Sequence, residues 1–369
     1  MQKSRTDYLD HIKILLTILV ILHHACVSYG APGGWYIRQP TTITGALIAM
    51  TVFVATNQSF FMGFFFLLSA YFTEPSLLRK GPKAFITDRL KRFGIPLVFY
   101  SFVLSPFMSF LVYRYAEGHH INYLQYLQGY DNWIEFGVLW FVAALLVFTF
   151  IFVALRNVKT GSAQLPGTGK ILLFAIALGL VTYLVRLVFP VGWVLHPVGF
   201  QLGHWPQYIA LFIIGIIARR NNWEEQLQYR SATSFRWIAL LMVFIGFPVM
   251  FYLRRTWDSP VSDFQGGWNR LSFLYSIWEQ VTGISIIVAM TGIFKHKWNG
   301  HSTFMSNLSR EAFAVYIFHP LPLIVFAVLL ASWQVDPALK LLVVAPLGVI
   351  SALLLGKILV KIPGVNKII

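Results

Sequence analysis

A chain of 369 residues that is 57% hydrophobic and only 12% charged is not a soluble globule, since soluble domains carry about 25% charged residues. Apolar runs of about twenty residues recur from end to end, each long enough to cross a hydrocarbon core of roughly 30 Å as a helix, so the lipid bilayer is the chain's solvent. The net charge of +15 would suggest nucleic acid in a soluble protein, but the basic residues stand in short clusters between apolar runs, and no segment is long enough to carry a basic binding face outside the bilayer.

The runs, bounded by charge, Pro and Gly, predict an all-α membrane protein, a bundle of about ten transmembrane helices forming a single domain over residues 1–369. They lie near 13–30, 46–72, 94–115, 136–155, 170–189, 203–218, 237–253, 271–294, 312–333 and 338–360. The sixth is the shortest, with an apolar core only from Tyr208 to Ala218 after Pro206, and is expected to be tilted, broken or partly re-entrant. Residues 3–13, 79–92, 156–170, 219–236, 295–310 and 357–367 hold 22 of the 29 Lys and Arg residues, and all fall on one side if both termini are cytoplasmic. Lys3 and Arg5 before an apolar run imitate a signal peptide, but His23 and His24 interrupt that run and no small-residue cleavage site follows, so the segment is expected to stay as the first helix. No organelle signal is present, and a bacterial inner membrane is the simplest location for a multi-pass chain of this kind.

The first helix carries the leading candidate for chemistry. Eleven residues separate Lys13 from His24, a rise of roughly 16 Å, and about 100° per residue returns the two to nearly one face. Lys13 then lies at the cytoplasmic edge and His24 near mid-membrane, where ionisable groups are expensive to bury and seldom idle. A neutral imidazole there can take the proton of a hydroxyl as it attacks a thioester; a helix-packing histidine is the alternative. His23 points about 100° away and is expected to orient or pack. Adjacent positions diverge and no cysteine or His-Glu-x-x-His ligand set accompanies the pair, so no metal site is expected. Cys26 is the only cysteine, which excludes an intramolecular disulfide, and it reads as a small buried hydrophobe.

The second run ends in Gly63-Phe64-Phe65-Phe66-Leu67-Leu68-Ser69-Ala70-Tyr71-Phe72, offering small residues and a hydroxyl where helices can approach closely. Before the third, Asp88-Arg89-Leu90-Lys91-Arg92-Phe93-Gly94-Ile95-Pro96 sets Arg89 and Arg92 on one face at i,i+3 spacing. Paired guanidinium forks suit the phosphates of coenzyme A, though ordinary positive-inside flanking explains the spacing equally. Glu279, in the eighth helix, is the most isolated acid in the apolar core and needs a partner. Tyr316 and His319, in Tyr316-Ile317-Phe318-His319-Pro320, share a face roughly 6 to 12 Å inside the cytoplasmic edge and either line a pantetheine tunnel or pack. The outer loops supply Trp35, Tyr36, His119, His196, Trp257 and Trp268 among others, a mixture that suits a sugar or an interfacial aromatic belt.

Taken in order, these segments resemble the acyltransferase-3 family. The resemblance rests on Tyr8-Leu9-Asp10 before the first helix, a basic residue followed by ten residues and His24, and Phe65-Phe66-Leu67-Leu68-Ser69 closing the second helix. It continues with Arg89 and Arg92 before Pro96, Leu139-Trp140-Phe141 opening the fourth helix, and Tyr316 with His319 and Pro320. It implies roughly ten helices, an acyl-coenzyme A donor entering from the cytosol, and transfer to a hydroxyl, commonly on a glycan. By the same resemblance His24 is the catalytic histidine and Arg89 and Arg92 are the paired arginines. Lys13 stands where the family usually has arginine, so it keeps the charge and loses the bidentate fork. The His23-His24 pair resembles the branch that decorates periplasmic glucans with succinyl groups.

These features lead to an integral membrane O-acyltransferase with no permanently bound cofactor, acyl-coenzyme A as cosubstrate and a hydroxyl-bearing acceptor. Lys13, Arg89, Arg92, Tyr316 and His319 are expected at the donor, with His23, Glu279, Asp10, Ser69 and Trp140 in support. A secondary transporter or polysaccharide exporter with Glu279 and the histidines at mid-membrane is the alternative. A homodimer and a monomer are both compatible with the sequence.

Overall fold

With no water in the bilayer core, backbone N–H and C=O groups must bond within the chain, and the apolar runs meet that requirement as helices. The computed structural model describes residues 6–156 and 161–368, so that Lys3, Arg5 and Lys159 lie outside the described residues. The helices are α1 (Asp7–Ser28), α2 (Thr44–Gln58), α3 (Phe61–Lys80), α4 (Pro82–Ala116) and the short α5 (Tyr123–Gln128). They continue with α6 (Trp140–Ala154), α7 (Thr168–Arg186), α8 (Trp205–Arg220), α9 (Tyr229–Thr256) and α10 (Arg270–Lys297). The chain closes with α11 (Thr303–Phe318), α12 (Pro320–Leu329) and α13 (Pro337–Leu359). Among the described residues there is no β-strand.

Each predicted run is helical, and the differences lie at breaks and boundaries. Eight stretches among the described residues are long and apolar enough to cross a membrane, and α11 with α12, bent by 57°, makes a ninth if taken as one span. The chain is thus a multi-pass membrane protein. The sixth predicted helix, α8, is continuous but only 16 residues long. The run predicted over 312–333 begins at Thr303 and breaks at His319–Pro320. The third predicted run begins at Pro82, so both arginines lie within α4, Arg89 just before a π-helical turn at Leu90–Gly94 and Arg92 inside it.

The most buried helix is α10, while α7, α9 and α13 are peripheral: 67% of the apolar window of α10 is buried, against 28% for α7, 17% for α9 and 22% for α13. Val98, Phe244 and Leu342 are among the large apolar side chains left on the outer surface, as a lipid-facing exterior requires.

The predicted second helix is two, α2 and α3, broken at Ser59 and Phe60. The break is buried, and its exposed backbone is satisfied locally. Gln207 of α8 donates through Nε2 to the Ser59 carbonyl at 2.7 Å and to Gln280 Oε1 of α10 at 2.8 Å. Gly283 of α10 lets this carbonyl approach, since a Cβ there would overlap the Ser59 oxygen. Gly63 and Gly215 likewise bring α3 against α8, where a Cβ on Gly63 would lie 2.6 Å from Leu211 Cδ1. Because backbone rather than a flexible side chain opposes the added methyl, Gly283→Ala is expected to cost about 1–3 kcal/mol. Gly45→Ala in α2, which meets open space, should be neutral or mildly stabilising. Thermal unfolding of the two variants in one detergent checks this; equal stability would show that the break does not depend on the close approach.

Candidate active site

His24 sits one turn from the end of α1 at Ser28. Its ring has two near-parallel neighbours, Trp35 at 4.1 Å and His319 at 5.4 Å between centroids, which are themselves 6.3 Å apart. Trp35 belongs to the loop after α1, which folds back over the helix end: Gln39 N–H donates to the Ser28 carbonyl at 2.7 Å, and Thr41 N–H to that of Tyr29 at 3.1 Å. The Thr41 hydroxyl donates to Asp336 at the start of α13, closing the loop on the bundle. His24 Nδ1 is buried without a hydrogen-bond partner, while the ring as a whole keeps some accessible surface. His23 turns away. It stacks on Phe61 at 5.0 Å and meets the Asn57 amide at 3.3 Å, and its ring stands at 80° to that of His24.

His319 reaches His24 because α11 ends there. Pro320 has no N–H to donate to the carbonyl four residues back, that of Tyr316, and its ring opposes helix continuation. His319 Nδ1 takes the missing donor's place, 2.8 Å from the Tyr316 carbonyl oxygen. A carbonyl only accepts, so Nδ1 carries the proton and Nε2 holds a lone pair, buried and without a partner. Tyr316 is fixed in turn by its hydroxyl, which donates to the Val138 carbonyl at the start of the α6 segment.

A cavity of about 1320 Å3 opens at the end of the bundle that carries Arg79, Arg89, Arg92, Arg219 and Arg310, and runs inward along α1 past Asp10, Lys13 and Thr17. Its walls include Phe65, Ser69, Phe141 and Tyr316. Thr17 and His24 share a face of α1 and are separated by a rise of about 10 Å, and Tyr316 is one turn before His319. Of the residues expected in a tunnel, Tyr316 therefore lines the cavity and His319 lies beyond it, beside His24.

The cations at the mouth are held differently. Arg89 lies over Phe85 and Phe93, 5.0 and 5.2 Å from their centroids, with Nε buried and unbonded, and Arg92 lies over Phe313 at 5.8 Å. Neither has a hydrogen-bonded carboxylate among the described residues, since Asp88 pairs with Lys80 at 2.8 Å. Their forks are free for an anion. Lys13 is already compensated: Nζ is 3.1 Å from Asp10 Oδ1 and donates to Ser309 Oγ at 3.2 Å, and Ser309 donates to Asp10 at 2.7 Å. Arg219 donates to Tyr71 at 3.1 Å and to Glu224 at 3.3 Å.

Glu279, for which the sequence supplied no partner, is 2.5 Å from Arg186 Nη2 and 3.3 Å from His204 Nδ1. Arg186 also donates to the Gly203 carbonyl at 3.2 Å, and Gln280 donates to Glu279 at 3.2 Å. The acid on which a transport reading rested is thus locked in a buried network away from the cavity. Trp140 stacks on Tyr208 at 5.6 Å, and Tyr208 on Phe66 at 5.0 Å, so that Trp140 joins the aromatic packing of α3, α6 and α8.

Residues 6–359 match the family described as an acyltransferase domain. The chain belongs to the acyltransferase-3 family. It is similar to glucans biosynthesis protein C of Shigella dysenteriae serotype 1 (strain Sd197) and of Escherichia coli strains SMS-3-5 and K12, each 28% identical over 162 residues. Those alignments cover 42% of this chain and 40% of each relative. No solved structure matches.

The sequence alone does not single out Arg79, Arg219 and Arg310 at the cavity, Trp35 over His24, or Arg186 with His204 as partners of Glu279. The arginines had been absorbed into the topological charge count, where any basic residue at a helix end is explained in advance. Arg186 and Glu279 are separated by 93 positions, and no local spacing joins them. Removing one partner of a buried pair leaves an uncompensated charge, so Glu279→Gln is expected to destabilise the protein by about 3–5 kcal/mol. Unfolding in detergent is the measurement, and an unchanged midpoint would mean that the network adds nothing to the fold.

Proposed function

We propose that this acyltransferase takes an acyl group, acetyl or succinyl, from cytosolic acyl-coenzyme A and transfers it to a hydroxyl of a glycan. The observation that carries the reading is the cavity with an arginine-rich mouth and an inner end at Tyr316, one helical turn from the His24–His319 pair. The proposed arrangement is about ten crossings of a bacterial inner membrane with both termini in the cytosol, which puts the basic mouth on the side where acyl-coenzyme A is found.

In this mechanism Arg89 and Arg92 hold the phosphates of the donor, and the pantetheine arm follows α1 past Lys13 and Thr17. The thioester then stands by His24. The acceptor hydroxyl approaches under the Trp35 loop, loses its proton to His24 and attacks the thioester carbonyl; the carbon–sulfur bond breaks and His24 gives that proton to the departing thiolate. The glucan-related name of the similar proteins supports a glycan as acceptor.

Transfer and slow donor hydrolysis by purified protein in detergent, with acetyl- and succinyl-coenzyme A, test the reading. His24→Ala is expected to lower kcat by about 10²–10⁴-fold with the protein still folded. Arg89→Ala should raise the donor KM by about tenfold or more with kcat little changed, the effect of losing a charge-assisted contact made equally in ground and transition states. Full turnover by His24→Ala, or a donor KM indifferent to both Arg89 and Arg92, would overturn it.

A further inference from the structure

We propose that His319 is a positioning residue for His24: His24 donates its Nδ1–H to the lone pair on His319 Nε2, so that His24 Nε2 is the base. This rests on the acyltransferase reading above and assigns His319 a place in the reacting centre rather than at the donor.

Three observations carry it. Pro320 leaves the Tyr316 carbonyl without its helical donor, and His319 Nδ1 supplies one at 2.8 Å, which fixes the tautomer and leaves Nε2 as an acceptor. That Nε2 and His24 Nδ1 are both buried and both lack a hydrogen-bond partner. The two rings are inclined by only 20° with centroids 5.4 Å apart, while an N–H···N bond of about 3 Å between imidazole edges places centroids about 5 Å apart. A small turn of the His24 ring closes the pair, and the Trp35 face, 4.1 Å from His24 and 6.3 Å from His319, holds both rings near one orientation.

A catalytic histidine usually has its second nitrogen oriented by a carboxylate or carbonyl. Among the described residues no carboxylate is hydrogen-bonded to or ion-paired with His24, and the ring contacts of its side chain are with Trp35, His23 and His319. His23 is already engaged by Asn57. His319 is the neighbour with a free acceptor. During transfer the acceptor's hydroxyl proton passes to His24 Nε2 as its oxygen bonds the thioester carbon. The carbon–sulfur bond then breaks and the thiolate recovers that proton from Nε2. The Nδ1 proton of His24 stays shared with His319 throughout, so no further acid or base is consumed.

The test compares His319→Phe, which keeps a ring but offers neither donor nor acceptor, with His319→Gln, whose amide can donate to the Tyr316 carbonyl and accept from His24. In the full-length protein, His319→Phe is expected to lower kcat about 10- to 100-fold, with donor KM within twofold of wild type, and His319→Gln to recover a large part of the loss. If His319→Phe does not fold, His319→Met carries the same expectation. The inference is overturned if the folded Phe or Met variant keeps full kcat, if the loss falls on donor KM, or if His319→Gln is no better than the apolar variants. Absence of turnover by the wild-type protein with any acyl-coenzyme A would instead defeat the acyltransfer reading itself, which separates the two failures.

Discussion

The missing N–H of Pro320 is the constraint from which the reacting centre follows. In an apolar interior an unpaired carbonyl is costly, so the Tyr316 carbonyl must find another donor, and the side chain immediately before the proline provides it. That bond fixes the ring of His319, which fixes its acceptor nitrogen toward His24, and the same break bends α11 from α12 by 57°. Tyr316, one turn earlier, is held by Val138 and forms part of the cavity's inner wall. A single dipeptide thus joins the end of the cavity to the histidine pair.

The other helix break obeys the same rule with a different outcome. At Ser59 the freed carbonyl is met by Gln207, which also bonds Gln280, and Gln280 bonds Glu279 with its partners Arg186 and His204. This belt ties α7, α8 and α10 to the junction of α2 and α3. Its polar groups are largely engaged with one another, which suits a structural role, whereas His24 Nδ1, His319 Nε2 and Arg89 Nε face no protein partner.

Much of this was legible in the sequence because apolar length and charge spacing are local properties. The helical runs, the shared face of Lys13 and His24, and the arginine pair at Arg89 and Arg92 all followed from spacing within a few turns. What escaped was what depends on contacts between distant segments. An apolar run continues through Pro320, so the break at His319 was hidden, and Arg186 stands 93 positions from the Glu279 with which it pairs. Trp35 was one aromatic among several in the outer loops, and only the return of its loop over α1 sets it on His24. Asp10 is three residues before Lys13, but Ser309, which bonds both, is brought to them only by the fold.

The most direct measurement of the account is a structure of the protein bound to a non-hydrolysable acyl-coenzyme A analogue in a lipid nanodisc. The account places the donor phosphates within hydrogen-bond distance of Arg89 and Arg92 and the acyl carbonyl beside His24, with His24 Nδ1 bonded to His319. A donor bound outside the cavity, or one whose acyl carbonyl lies away from the histidine pair, would contradict it.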